Sequence, residues 1–98
     1  MKLMGIDFEI TEAERRVRQM ERCFDLLMKA VNDDADALRE DETLREAARK
    51  LTEYYESGQW LRDYELDEKG FFPQSLKRGV LAQDGLYELL ERIGDILN

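Results

Sequence analysis

Apolar residues recur along most of this chain at helical spacing. Ala13, Val17, Met20, Phe24, Leu27 and Val31 follow one another at intervals of four, three, four, three and four, a single stripe that predicts a helix over residues 11–32. Thr11-Glu12-Ala13-Glu14 fits a capping box, so the helix is expected to open there. A second stripe, Leu44, Ala47 or Ala48, Leu51 and Tyr54 or Tyr55, predicts a helix over residues 33–57. Its first turns are poor in apolar residues, and Thr43 with Glu46 forms another capping box, which allows a break near residues 41–43. Asn32-Asp33-Asp34 suits the turn between the two helices, with Asp33 or Asp34 as the N-cap. Leu86, Leu89, Leu90, Ile93 and Leu97 predict a last helix over residues 82–97 with these side chains inward. Leu81 and Leu86 form a hydrophobic staple around an N-cap at Ala82. At the other end, Ile6, Phe8 and Ile10 alternate with Asp7 and Glu9, a period-two pattern that suits an extended segment over residues 1–10. Two placements fit it: along the helical core with Phe8 in a groove, which is favoured, or against its own copy in a dimer.

Residues 58–81 do not follow any stripe. Gly58 suits the left-handed conformation that ends a helix. Trp60, Leu61 and Tyr64 then provide one or two short helical turns, and Asp67-Glu68-Lys69-Gly70 reads as a turn. Phe72 precedes the only proline, Pro73, and is expected to be extended. Leu76, Val80 and Leu81 return the chain to the core. The expected fold is all-α: an antiparallel helical hairpin, a long ordered loop over residues 58–81 and a C-terminal helix, together a three-helix bundle. It is one domain over residues 1–98, long enough for a core without staples.

Charge changes the picture of partners. The net charge is −8, and residues 33–57 hold nine acids against four bases. A field of this sign repels phosphate backbones, so nucleic acid is not an expected partner, and a protein with a basic surface is the complementary one. Arg15, Arg18 and Arg22 share a helix edge, but Glu14, Glu21 and Asp25 interleave with them and make it an ordinary solvated face. No apolar run is long enough to span a bilayer and no leader pattern opens the chain, so a cytoplasmic protein is expected, and the lone Cys23 is compatible with a reducing compartment.

Within residues 51–90, Tyr54-Tyr55, Ser57-Gly58, Trp60-Leu61, Asp63-Tyr64-Glu65, Asp67-Glu68, Gly70, Pro73, Leu76-Lys77-Arg78-Gly79-Val80-Leu81 and Asp84-Gly85-Leu86-Tyr87 follow in one order. This resembles the signature of a family of small bacterial proteins known as a domain of unknown function. The chain departs from that pattern at Ala82, where the family favours a serine cap, and at Phe71-Phe72 before the proline. The resemblance implies a compact bacterial protein and brings no catalytic residues with it.

The residue inventory narrows the chemistry further. There is no histidine and a single cysteine, which removes the commonest general base and any thiolate zinc site. Cys23 beside an apolar stripe reads as a small buried hydrophobe. No nucleophile elbow and no glycine-rich phosphate loop occurs, so no enzyme activity and no cofactor is expected. The leading expectation is a non-enzymatic interaction or regulatory module that binds a protein through residues 58–81, with Trp60, Tyr64, Phe71, Phe72, Lys77 and Arg78 as the contact residues. The alternative is a divalent-cation or small-ligand site made by Asp63, Glu65, Asp67 and Glu68, since alternate carboxylates in a tight loop can converge on a hard cation. The glycine and the terminal glutamate of a calcium loop are missing, with Glu68 and Gln74 in their places. Apolar residues left uncovered by three helices also allow a homodimer.

Overall fold

The computed structural model describes residues 2–98, with side chains from residue 7 onward. Helix α1 spans Lys2–Asp33, α2 Ala37–Glu40, α3 Glu42–Glu56, α4 Gln59–Glu68 and α5 Gln83–Leu97, with a 3-10 turn at Gly79–Leu81 before α5. The fold is an all-α bundle, and no strand occurs among the described residues.

Helix α1 has 32 residues, about 48 Å at 1.5 Å per residue, which accounts for a long molecular axis of 49 Å. Its predicted stripe, from Ala13 to Val31, is buried throughout. The N-terminal expectation needs correction. Residues 2–10 continue α1 rather than running extended, and Phe8 is 69% exposed instead of filling a groove. Met1 and the side chains of Leu3 and Ile6 lie outside the described residues. The physical reason is the lack of a strand partner: an isolated extended segment leaves its backbone groups to water, whereas added helical turns satisfy them internally. With the preceding residues already helical, Thr11 sits inside the helix and has no free N-terminus to cap.

A short turn follows α1, with the Asp34 amide bonded to Ala30 O at 2.8 Å. Neither Asp33 nor Asp34 caps the next element. Asp36 holds the N-cap position of α2 without a side-chain bond to a backbone amide, its carboxylate accepting from Arg39 at 2.9 Å instead, and this single helical turn buries Leu38 completely. The break expected near residues 41–43 falls at Asp41. Its carboxylate, not the Thr43 hydroxyl, caps α3 by accepting the Thr43 amide at 2.8 Å. Helix α3 then buries Leu44, Ala47, Ala48, Leu51 and Tyr54. It runs antiparallel to α1: Arg16 and Met20 share a surface cleft with Lys50 and Tyr54, while Cys23 and Leu26 share another with Thr43 and Ala47.

Residues 58–81 differ from the expected loop. Gly58 adopts φ 90°, and α4 then continues for ten residues to Glu68 before Gly70, at φ 80°, reverses the chain. Asp67 and Glu68 therefore belong to the helix and not to a turn. After Pro73 the chain passes Leu76, Val80 and Leu81, all buried, and enters α5 with Ala82 at its N-cap. Helix α5 lies parallel to α1, with Gly85 against Phe24 and Arg92 bonded to Asn32 at 3.3 Å, and antiparallel to α3. Leu86, Leu89 and Ile93 face the core, whereas Leu90 is half-buried and Leu97 is 42% exposed, contrary to an all-inward stripe. At the end of a helix, fewer neighbours remain to cover such a side chain.

Candidate functional site

The residues singled out in 58–81 separate into an internal set and a surface set. On α4, Trp60, Asp63 and Tyr64 fall at i, i+3 and i+4, and share the face turned to α1 and α3. Asp63 is 0% exposed. Its Oδ2 accepts from Arg16 Nε at 2.9 Å and from the Tyr54 hydroxyl at 2.7 Å, and its Oδ1 from Arg16 Nη2 at 2.6 Å. A buried carboxylate is tolerable only when paired and hydrogen-bonded, and here a forked guanidinium and a phenol occupy both oxygens. The hydrogen bond to Asp63 raises the Arg16 pKa. Burial, followed by the bond to Asp63, pushes the Tyr54 phenol well above its ordinary range. Three helices are fastened at this point.

Val80 is held in the same way on both sides of its backbone. Its amide donates to Glu21 Oε1 at 2.7 Å, and its carbonyl accepts from Trp60 Nε1 at 2.9 Å. Glu21 comes from α1 and is itself buried. A Cβ on Gly79 would stand 3.0 Å from Glu21 Oε2 and 3.4 Å from Phe24, so the Gly-Val pair is set by how closely the 3-10 turn approaches α1. The Trp60 ring stacks on Tyr64, with centroids 5.2 Å apart, and meets Tyr55 at 5.5 Å. Arg78 ties the reversal together, bonding Asp67 Oδ1 at 3.1 Å and Pro73 O at 3.1 Å.

Most of the expected contact surface is therefore internal. Trp60 and Phe72 are buried, Tyr64 is half-buried in the stack, and Arg78 is committed to Asp67. Phe71, 46% exposed, and Lys77 remain at the surface. The acidic quartet does not gather. On a helix, successive residues turn by about 100°, so Asp63 and Asp67 share a face while Glu65 points away. Asp63 faces Arg16, Asp67 faces Arg78, and Glu65 and Glu68 face outward. Among the described residues, no three carboxylate or cysteine side chains are grouped to hold a metal ion. The alternation would have converged only in a loop, and the segment is helical. Cys23 is half-buried, and burial raises its thiol pKa, which makes it a poor nucleophile.

Sequence reasoning missed Arg16 and Glu21 as internal residues. The signal was present for Glu21, four residues after Val17 and three before Phe24, which places a carboxylate on the apolar face of α1. It also missed a broad surface feature. An open cleft of about 920 Å³ runs between α3 and α5. Ala48, Tyr55, Leu90 and Ile93 form its floor, with Tyr87 at one end, 50% exposed, and Leu97 at the other. Arg45, Arg49, Glu53, Glu56 and Glu91 stand on its rim. Arg49 is already shared between Glu46 at 2.7 Å and Glu53 at 2.8 Å. Glu56 and Glu91 have no cationic partner among the described residues.

A family model described as a domain of unknown function (DUF4298) matches residues 17–98. No curated protein and no solved structure matches the chain.

Proposed function

Since the chain belongs to that family, whose description assigns no activity, we propose from the geometry that it is a non-enzymatic module. In this reading it captures an amphipathic helix of a protein partner in the cleft between α3 and α5. The observation that carries the reading is the combination of an apolar floor with acids beside it that have no cationic partner among the described residues, Glu91 accepting only the Tyr87 hydroxyl at 3.1 Å. Tyr55, Tyr87, Leu90 and Leu97 present apolar surface that the bundle leaves uncovered, while Glu56 and Glu91 flank the Tyr87 end without cations. Helices α3 and α5 have 15 residues each, so the cleft offers about 22 Å of length, roughly four turns of a docked helix. Helix-in-groove recognition uses apolar anchors at i, i+3 or i+4, and i+7. At the Tyr87 end, Glu56 and Glu91 together with the net charge of −8 select lysine or arginine alongside those anchors, while Arg45, also without an ion-pair partner among the described residues, stands toward the Leu97 end. Residues 58–81 have a different part in this account: they hold α4 and the 3-10 turn against α1, and so fix where α5 starts relative to α3.

A labelled designed helix of about sixteen residues, with leucine anchors on one face and flanking lysines, tests this by fluorescence anisotropy. Saturable binding that weakens with salt, and that is lost in Tyr87→Ser with Leu97→Ser, is the expected result. A glutamate-flanked version of the peptide should not bind. Equal binding of both peptides, or no loss in the double variant, would overturn the reading. So would sedimentation showing a dimer that the same double variant dissolves, because the cleft would then belong to a second copy.

A further inference from the structure

A second, smaller pocket of about 300 Å³ lies between α1 and residues 75–77. Arg18 and Arg22, one helical turn apart on α1, line one wall, Ser75 and Lys77 the other, and Leu76 closes the back. We propose that this pocket binds a small phosphate-bearing ligand, with Arg22, Lys77 and Ser75 as donors to its oxygens and Asp25 as acceptor for its P–OH proton.

Four observations support the assignment. First, Arg22 and Lys77 make no ion pair among the described residues, although the chain carries an excess of eight negative charges. Arg18 gives only Nη2 to Glu14, at 3.0 Å. Second, the backbone amides of Ser75 and Lys77 make no hydrogen bond to protein groups among the described residues, so two further donors are unspent beside the cations. Phosphate oxygens are recognised by this combination of guanidinium, ammonium, hydroxyl and main-chain N–H. Third, of the two acids in the lining, Glu21 is turned inward to the Val80 amide. Asp25 is exposed and has no cationic partner among the described residues, which leaves a carboxylate acceptor at the pocket beside its donors. An oxyanion that keeps a proton near neutral pH, as phosphate and its monoesters do, satisfies donors and acceptor together. Sulfate carries no proton to give, and would meet Asp25 as a like charge. Fourth, the volume is at the lower end of ligand pockets, which admits a phosphate with a small substituent. Lys77 and Ser75 are held opposite α1 by the Arg78 bonds to Asp67 and Pro73 and by burial of Leu76, so the two walls keep a fixed separation.

The test uses the ¹⁵N-labelled chain titrated with inorganic phosphate and, separately, with sulfate at constant ionic strength, read by amide chemical shifts. Phosphate should give saturable shifts centred on Ser75 and Lys77. Lys77→Gln and Arg22→Gln, both at exposed positions, should each weaken it about tenfold, the loss expected for one charge-assisted contact. Sulfate should bind about tenfold more weakly, and Asp25→Asn should remove that preference. A linear drift without saturation into tens of millimolar, or shifts that neither cation variant alters, would overturn the site. Equal affinity for the two anions in the parent would overturn the part assigned to Asp25. A Phe71→Ser control, whose spectrum reports the same segment, should leave the titration unchanged, and loss of binding there would also count against the pocket.

Discussion

Replacing Asp63 by asparagine removes one charge from the point where α1, α3 and α4 meet and changes almost no volume. The parent carboxylate takes two bonds from Arg16, at 2.9 and 2.6 Å, and one from Tyr54 at 2.7 Å, while being wholly buried. The amide keeps one acceptor oxygen but turns an NH₂ toward the guanidinium donors. Removing one partner of a buried pair costs about 3–5 kcal/mol, and because the Arg16 side chain is 28% exposed, water screens part of it and the lower figure applies, about 3 kcal/mol. For a domain of this size that corresponds to a fall in melting temperature of roughly 12–24 °C. Urea unfolding followed through the buried Trp60 gives the free energy directly. A double-mutant cycle of Asp63→Asn with Arg16→Gln should show a coupling above about 1 kcal/mol, since the two side chains share their bonds. If Asp63→Asn alone stays within about 0.5 kcal/mol of the parent, the cluster does not fasten the helices and the reasoning fails.

Three further outcomes follow from the same structure. Tyr54→Phe should cost about 1–2 kcal/mol near neutral pH. Because the folded phenol has a raised pKa, its contribution is complete below the unfolded value near 10 and is lost as pH rises beyond it, so the gap between parent and variant in urea midpoint should close at alkaline pH; a constant gap would refute this. Ala82→Ser places an acceptor at an N-cap that has no side-chain bond and should stabilise the chain by about 1 kcal/mol, whereas a variant melting at or below the parent would mean that α5 is capped otherwise. Gly79→Ala should lower stability by about 1–2 kcal/mol by displacing Glu21 from Val80, and failure of a Glu21→Ala background, which removes the side chain that the new methyl meets, to tolerate the alanine any better would contradict that cause.

The stripes of α1, α3 and α5 were legible because burial imposes the helical period on every core side chain, and each stripe is long enough to average over exceptions. Gly58 and Ala82 were legible from local chemistry alone, as a positive φ and a missing cap. Helix α4 was legible only as the one or two turns around Trp60 to Tyr64 and not in its run to Glu68, because its buried face holds only Trp60 and an aspartate, whose burial makes sense only once Arg16 is placed opposite. That pairing joins residues 47 apart in sequence, and no local pattern encodes it. The same blindness sent the candidate site to Phe72 and Trp60. Trp60 stood out as the single tryptophan and Phe72 as one of two adjacent phenylalanines, and the reason for both is packing. The cleft escaped notice because Tyr55, Leu90 and Leu97 keep the helical period of core residues, and only the arrangement of α3 and α5 shows that nothing covers them.

The central claim is that the cleft between α3 and α5, and not residues 58–81, is the binding face. Mapping amide shifts of the ¹⁵N-labelled chain on addition of the lysine-flanked helical peptide tests it most directly. The account predicts saturable shifts along Ala48 to Ser57 and Tyr87 to Leu97, with Phe71 and Lys77 unmoved. Shifts centred on Phe71 and Lys77, with the cleft silent, would contradict it.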